Sequence, residues 1–276
     1  MKKISIEEVR KIQLDMLQFI DNFCREHEIE YSLIGGSLLG SIRHGGFIPW
    51  DDDIDVMLRR DEYDRFIKLL NDSESKMGHL KLWHYSTRPT YHLFSKMYDD
   101  RTTVGKNTDY IWEGTGIFID IFPYDALPAS EEKRIKFMDD INKKAKILSY
   151  TSAPAYFSGS KWYYSLARIF LNFPQFIKFH GRNQELTKKF DKDSQKYFDD
   201  KSATQMGFLC SRYLKKEHFP RTIFDEYEDV SFEGMSVRKI RDHETYLRGV
   251  YGDYMKLPAE KDRQIHELYV WYWKNE

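Results

Sequence analysis

The segment "GGSLLGSIRHGGFIPWDDDIDVML", residues 35–58, places seven glycines and serines ahead of four aspartates, Asp51, Asp52, Asp53 and Asp55. Carboxylates this close repel one another at neutral pH, and each resists burial. Yet Ile54, Val56, Met57 and Leu58 carry the run straight into a core. Read as a strand, Asp51, Asp53 and Asp55 share one face, while Ile54 and Val56 take the other. Carboxylates gathered on one face stay ionised only beside something positive. A divalent cation meets that need, and all-oxygen ligands favour Mg²⁺ or Mn²⁺ over zinc.

A further carboxylate comes from "GIFIDIF". Ile117, Ile119 and Ile121 lie on one face of that strand, and Phe118, Asp120 and Phe122 on the other. An aspartate amid such apolar neighbours is costly without a partner, and a metal shared with Asp53 and Asp55 would be one. Gly35, Gly36 and Ser37 supply the opposite polarity. Glycines let backbone N–H groups approach an anion, and a helix opening there adds its partial positive end. Metal and backbone would then grip a di- or triphosphate from two sides. Alone, the glycines fit an ordinary turn and the aspartates a solvated acidic loop. Both in this order, with Asp120, favour the phosphate-and-metal reading.

The elements that must position these groups follow from periodicity. Ser5 and Glu8 form a capping box, and apolar residues from Val9 to Phe23 recur at helical spacing over 6–27. "YSLI" reads as a short strand, followed by a glycine turn and a short helix. "DIDVML" is a strand and "DEYDRFIKLLND" a helix, with "LKLWHY", "YHLFSKMY" and "GIFIDIF" as further strands. Beyond Pro123, helices are expected over "SEEKRIKFMDDINKKAKILS", 161–180 and 183–199, with breaks at Pro174 and Gly181. "YEDVSFEGMSVRKI" reads as a hairpin turning near Glu233-Gly234. "DHETYLRGVYG" is a helix capped by Asp242 and ended by Gly252. The plan is α+β, a small mixed sheet flanked by helices. Two parts are expected: a catalytic core over 1–128 and a mostly helical part over 129–276 that completes the substrate cleft.

Composition narrows the function. Of 276 residues, 43 are Lys or Arg and 44 are Asp or Glu, so a general nucleic-acid binder, usually basic, is not expected. Mean hydropathy is −0.67, and no apolar run is long enough to span a membrane. "MKKISIEEVRKIQLD" lacks the apolar core of a signal peptide. Cys24 and Cys210 are the only cysteines, too few for a disulfide framework, which fits a reducing cytoplasm. Aromatics reach 16%; packing accounts for most of them, and a ligand that favours π-faces for the remainder. Trp50, Trp83, Trp112, Tyr110 and Tyr124 lie near the motifs.

"GGSLLGSIRHGGFIPWDDDIDV" resembles the LicD family, which includes fukutin and fukutin-related protein. The resemblance continues in "HLFSKMYDDRTT", "GIFIDIFPYD", "FEGMSV" and "YLRGVYGDYMKLP", and is loose over about 130–215. It implies a nucleotidyltransferase fold of the polymerase-β type. It also implies transfer of phosphocholine from CDP-choline to a hydroxyl of a cell-surface glycan precursor, of teichoic acid or lipopolysaccharide type. Other relatives transfer ribitol phosphate, and a nucleotidyltransferase acting on a small acceptor shares the metal motif. Carried onto this sequence, Asp53, Asp55 and Asp120 are the catalytic metal ligands, with Asp51 a further ligand. Gly35, Gly36 and Ser37 hold phosphate. Arg43 and His44 are either phosphate contacts or a solvated loop. Lys96 either reaches phosphate or extends to water, and His266 either binds or packs. Where family members commonly carry a proline before the "YL…YGDYM" helix, Arg241 and Asp242 stand here.

Residues 161–189 hold six basic residues against one acidic, interleaved with aromatics. Two readings follow: a helical hairpin packed on the catalytic part, or peripheral contact with the anionic inner face of a membrane presenting a lipid-linked glycan.

Overall fold

The computed structural model describes all residues except 74–76, 106–113, 152–161, 212, 214–215, 260–262, 264–268 and 276. Helix α1, Ile6–Glu26, starts at the expected capping box: the Ser5 hydroxyl accepts from the Glu8 amide, and the Glu8 carboxylate accepts from the Ser5 amide. Its buried face, from Val9 to Cys24, lies on the sheet.

A seven-stranded mixed sheet forms the centre. Five strands run in the order β1 (Ser32–Leu33), β2 (Asp55–Arg59), β6 (Phe118–Leu127), β4 (Ser95–Asp99) and β3 (Leu80–Trp83). Strands β2 and β6 are parallel, so the chain must cross over between them. Helix α2, Gly35–His44, links β1 towards β2, and α3, Arg60–Asp72, follows β2 directly. Helix α3 buries Tyr63, Phe66, Ile67 and Leu70 along one face. Ile117, Ile119 and Ile121 are wholly buried, whereas Phe118, Asp120 and Phe122 are half-exposed, so the two-sided reading of β6 holds.

The glycine turn expected before α2 is instead its first turn, beginning at Gly35. A second correction concerns the aspartates. Asp51 to Asp53 are not in a strand; β2 begins only at Asp55. Pro49 has no amide to give a ladder, and the carbonyls around it are taken by side chains of α1. Arg10 donates to the carbonyls of Ile48, Pro49 and Asp51, and Gln13 donates to that of Asp52.

The later chain returns to the same sheet. After β5, Thr102–Val104, and β6 come α4, Glu131–Leu148, α5, Trp162–Phe179, and α6, Asn183–Ser194. Helix α5 continues through Pro174, where a break was expected. Pro174 is exposed, so the carbonyl that its missing N–H would have engaged is open to water. Strand β7, Gln205–Gly207, pairs with the second half of β6, and β8, Phe219–Pro220, pairs with β7. The expected hairpin is β9, Tyr227–Phe232, with β10, Met235–Ile240; Glu233 and Gly234 both take positive φ at its tip. Helix α7, His243–Tyr251, is capped by Asp242 and ends at Gly252 as expected. Strand β11, Trp271–Trp273, pairs with β5.

One buried cation ties the helical part to the sheet. Arg60, 2% exposed, grips both oxygens of Asp125 on β6 at 2.7 and 2.9 Å and reaches Asp191 on α6 at 2.9 Å. A buried guanidinium between carboxylates is matched only while all partners remain. Arg60→Ala strands two buried carboxylates, and chemical denaturation should show a loss of about 3–5 kcal/mol. Adding Asp191→Asn should recover part of it.

Candidate active site

Three charged side chains stand in register across three strands. Asp55 on β2 faces Asp120 on β6, and Asp120 faces Lys96 on β4. Lys96 is buried and bonded to the Asp120 carboxylate. Its ammonium also lies 3.8 Å from the ring centre of Phe118 and 5.0 Å from that of Phe94. So Lys96 does not extend to water; it is the buried partner that a lone Asp120 requires. Burial pushes the Asp120 carboxyl above its ordinary range, and Lys96 pulls it back. Asp55 is pushed well above that range, first by burial and then by Asp53, Asp120 and Asp51. Crowded carboxylates of this kind mark sites built to hold charge.

Ser37 does not face the cleft. It is buried, and its hydroxyl accepts from the Asp55 amide at 2.9 Å. Its observed work is to fix the first residue of β2. The cleft itself has a volume of about 360 Å³. Gly35, Gly36, Asp51, Asp53 and Asp55 line one side, with Arg43 nearby. Gly35 has φ +56°, a conformation that side chains rarely adopt. A Cβ on Gly36 would sit 2.5 Å from Asp51 Oδ2, so the glycine is what lets that carboxylate approach the helix start. Tyr246 and Tyr124 both donate to the buried Glu217 carboxylate, which anchors this corner from below.

The C-terminal part supplies much of the rest of the lining, with the Tyr251 hydroxyl close to Gly35 and Asp55. Its lining residues are Tyr213, Tyr251, Asp253, Tyr254, Lys256 and Arg263. Arg43 donates to the Tyr254 carbonyl at 2.8 Å, and the Arg263 guanidinium lies 4.5 Å from the Trp50 ring centre. Of the aromatics singled out in the sequence, Trp50 lines the cleft. Trp83 and Tyr124 are buried in cores away from it, and Trp112 and Tyr110 lie outside the described residues. His266 also lies outside them. His44 is exposed and edge-on to Trp50. Sequence reasoning missed Tyr213, Tyr251, Tyr254, Lys256 and Arg263. The motif "YLRGVYGDYMKLP" carried a signal for three of them, but nothing in its spacing pointed to the cleft.

Among the described residues, no three His, Cys, Asp or Glu side chains stand at the mutual spacing of a closed metal cage. Asp51, Asp53 and Asp55 line the cleft, while Asp120 lies in register with Asp55 on the next strand and outside that lining. The donor set, all carboxylate oxygen on an anion-crowded wall, is nonetheless of the type that hard divalent cations take.

A family model described as LicD/FKTN/FKRP, nucleotidyltransferase domain, matches residues 28–152, which span the glycines, the aspartate run and Asp120. The lipopolysaccharide cholinephosphotransferase LicD of Haemophilus influenzae is 30% identical over 286 residues, covering 97% of this chain and 98% of that one. The chain belongs to the LicD family. An uncharacterized protein of Rickettsia typhi is also similar, 30% identical over 70 residues, or 25% of this chain and 23% of that one.

A larger cavity of about 1000 Å³ lies between α4 and α6 in this LicD-family chain. Its lining mixes Lys133, Lys144 and Lys192 with Asp140, Asp193 and Asp200, and Lys144 is paired with two of those aspartates. It has neither the glycines nor the carboxylate row, so the smaller cleft is the candidate site.

Gly36→Ala tests the Asp51 contact. The flexible carboxylate can swing away from the new methyl, so the melting temperature should hold within a few degrees. Turnover should fall about tenfold or more, the scale on which a displaced charged group weakens a transition state.

Proposed function

We propose that this chain is a metal-dependent cholinephosphotransferase. It moves phosphocholine from CDP-choline to a hydroxyl of a cell-surface glycan precursor, of lipopolysaccharide or teichoic acid type. The observation that carries the reading is the full-length similarity to a lipopolysaccharide cholinephosphotransferase. The cleft supports it, because its lining combines carboxylates with aromatic and cationic side chains. The proposed fold is a nucleotidyltransferase of the polymerase-β type: a glycine start to a helix, an acidic strand after it, and a third carboxylate on the parallel neighbour. On this reading residues 1–128 form the catalytic core, and the later chain closes the cleft.

Each kind of side chain has a part in the reaction. Asp53 and Asp55, with Asp51 and Asp120, are the residues that would hold Mg²⁺ or Mn²⁺. A bound ion of this kind neutralises phosphate oxygens and a departing phosphate. The Gly35 and Gly36 end of α2 favours phosphate through its partial positive charge. Arg43, Lys256 and Arg263 add full positive charges to the same cleft. A trimethylammonium group carries charge but donates no hydrogen bond, so aromatic faces are its natural seat. Trp50, Tyr213, Tyr251 and Tyr254 supply them. In the transfer, the acceptor hydroxyl oxygen bonds to phosphorus as the bond from phosphorus to the CMP oxygen breaks. The hydroxyl proton passes to a carboxylate, Asp120 or Asp55. Lys96 keeps Asp120 oriented for that role and adds charge beside the phosphate.

CMP release tests the reading directly, with CDP-choline, CDP-ribitol and CDP-glycerol offered in competition. Preference for CDP-choline is expected. Preference for a polyol donor overturns the choline assignment, and pyrophosphate release from a nucleoside triphosphate places the chain among nucleotide-adding enzymes instead.

Metal dependence has its own test. Chelation should stop turnover, and Mg²⁺ or Mn²⁺ should restore it. Asp53→Asn and Asp55→Asn should each cost about a thousandfold in kcat, the equivalent of about 4 kcal/mol of transition-state stabilisation. Their melting temperatures should hold or rise, because each change removes a repelling carboxylate. Near-normal turnover in a folded Asp53→Asn protein would falsify the metal assignment.

A further inference from the structure

Helix α5 leaves a hydrophobic stripe in solvent. Leu166, Phe170, Phe173 and Ile177 follow one another at spacings of four, three and four residues, which places them along a single helix face. They are 54%, 89%, 51% and 65% exposed. At 1.5 Å per residue the stripe runs for about 16 Å. Leu171, 79% exposed, lies off the stripe, about a quarter-turn or more round the helix. The helix is anchored on a different side. Phe179 is buried in the cluster formed with α4 and α6, and Asn172 accepts from the Tyr150 hydroxyl. So the stripe is not the face that holds the helix to the protein.

A contiguous apolar face of this size on a protein surface marks an interaction site. The charge around it indicates the partner. Residues 161–189 carry six basic residues against one acidic, and Glu185 is already bonded to Arg182. Lys178, the residue after Ile177, is exposed, as are Lys188 and Lys189 on α6. No helix among the described residues is long and apolar enough to cross a membrane. A short helix with protruding Phe, Leu and Ile side chains and a basic surround suits the plane of a lipid interface whose headgroups are anionic.

We propose that α5 docks this chain on the surface of an anionic bilayer. The stripe enters the headgroup–acyl boundary, and these lysines meet the lipid phosphates. The docking stands whether or not the chain transfers phosphocholine. Its consequence for the reaction, that the cleft is held close to a lipid-borne hydroxyl acceptor, rests on the proposed function.

The test is vesicle co-sedimentation of the full chain, with phosphatidylglycerol-containing and pure phosphatidylcholine vesicles over a salt series. The expected result is pelleting with the anionic vesicles at low salt, weakening as salt rises, and little with the neutral ones. Phe170→Ser combined with Ile177→Ser should reduce partitioning at least about tenfold, since two large apolar side chains no longer insert. Its melting temperature should be unchanged, because both residues are exposed. A protein that stays in the supernatant with anionic vesicles at low salt overturns the proposal. So does equal binding by the double variant. A stable dimer that the double variant dissociates, without vesicle binding, would assign the stripe to a second copy and also overturn it.

Discussion

Burying Asp55 and Asp120 side by side is the constraint on which the rest of the structure depends. Two carboxylates in adjacent strands repel, and neither sheds its charge without cost. Lys96, in register on the third strand, offsets part of that cost. The arrangement requires β2 and β6 to be parallel and β4 to lie against β6 with no slip. A one-residue shift would turn Asp120 into the core and Ile119 or Ile121 into the cleft. The isoleucine face of β6 therefore does more than pack. It locks the register that brings the two aspartates and the lysine into one row.

The loop ahead of β2 is held from outside itself. Arg10 and Gln13 of α1 take its carbonyls. From the far side, the hairpin tip clamps the segment just before it: the Glu233 amide donates to the Gly45 carbonyl, and the Glu233 carboxylate accepts from the Phe47 amide. Because the backbone is committed in this way, Asp51 can turn towards the start of α2, and Asp53 and Asp55 remain on the cleft. A regular strand could not do this, since its side chains leave at a fixed alternation. Irregular backbone instead brings the carboxylates of Asp51, Asp53 and Asp55 to one volume.

The C-terminal part closes the same volume. Helix α7 ends at Gly252, and Tyr254, Lys256 and Arg263 beyond it line the same cleft as Asp51, Asp53 and Asp55. Arg60 fastens α6 to β6, and β7 pairs with β6 alongside Asp125–Leu127. The part that supplies cationic and aromatic lining is thus mechanically continuous with the part that supplies the carboxylates. Helix α5 stands apart from that continuity. It is secured near its end and turns a second apolar face outward.

Local pattern in the sequence was enough for many of the elements, though not for the short strands β5, β7, β8 and β11. The capping box of α1, the apolar face of α3, the alternation of β6, the turn at Glu233-Gly234 and the caps of α7 depend on neighbours within a few residues. So does the aspartate cluster, whose types and spacing imply a charged site before any fold is known. The tertiary structure decided which charge answers which. Lys96 is 24 residues from Asp120, Glu233 is 186 from Phe47, and Asp191 is 131 from Arg60; no periodicity carries such pairings. The strand expected over Asp51–Asp53 became a loop for the same reason, because Arg10 and Gln13 satisfy its carbonyls from about 40 residues away. Hydrogen bonds and ion pairs reward proximity in space, and chain order records only proximity along the backbone.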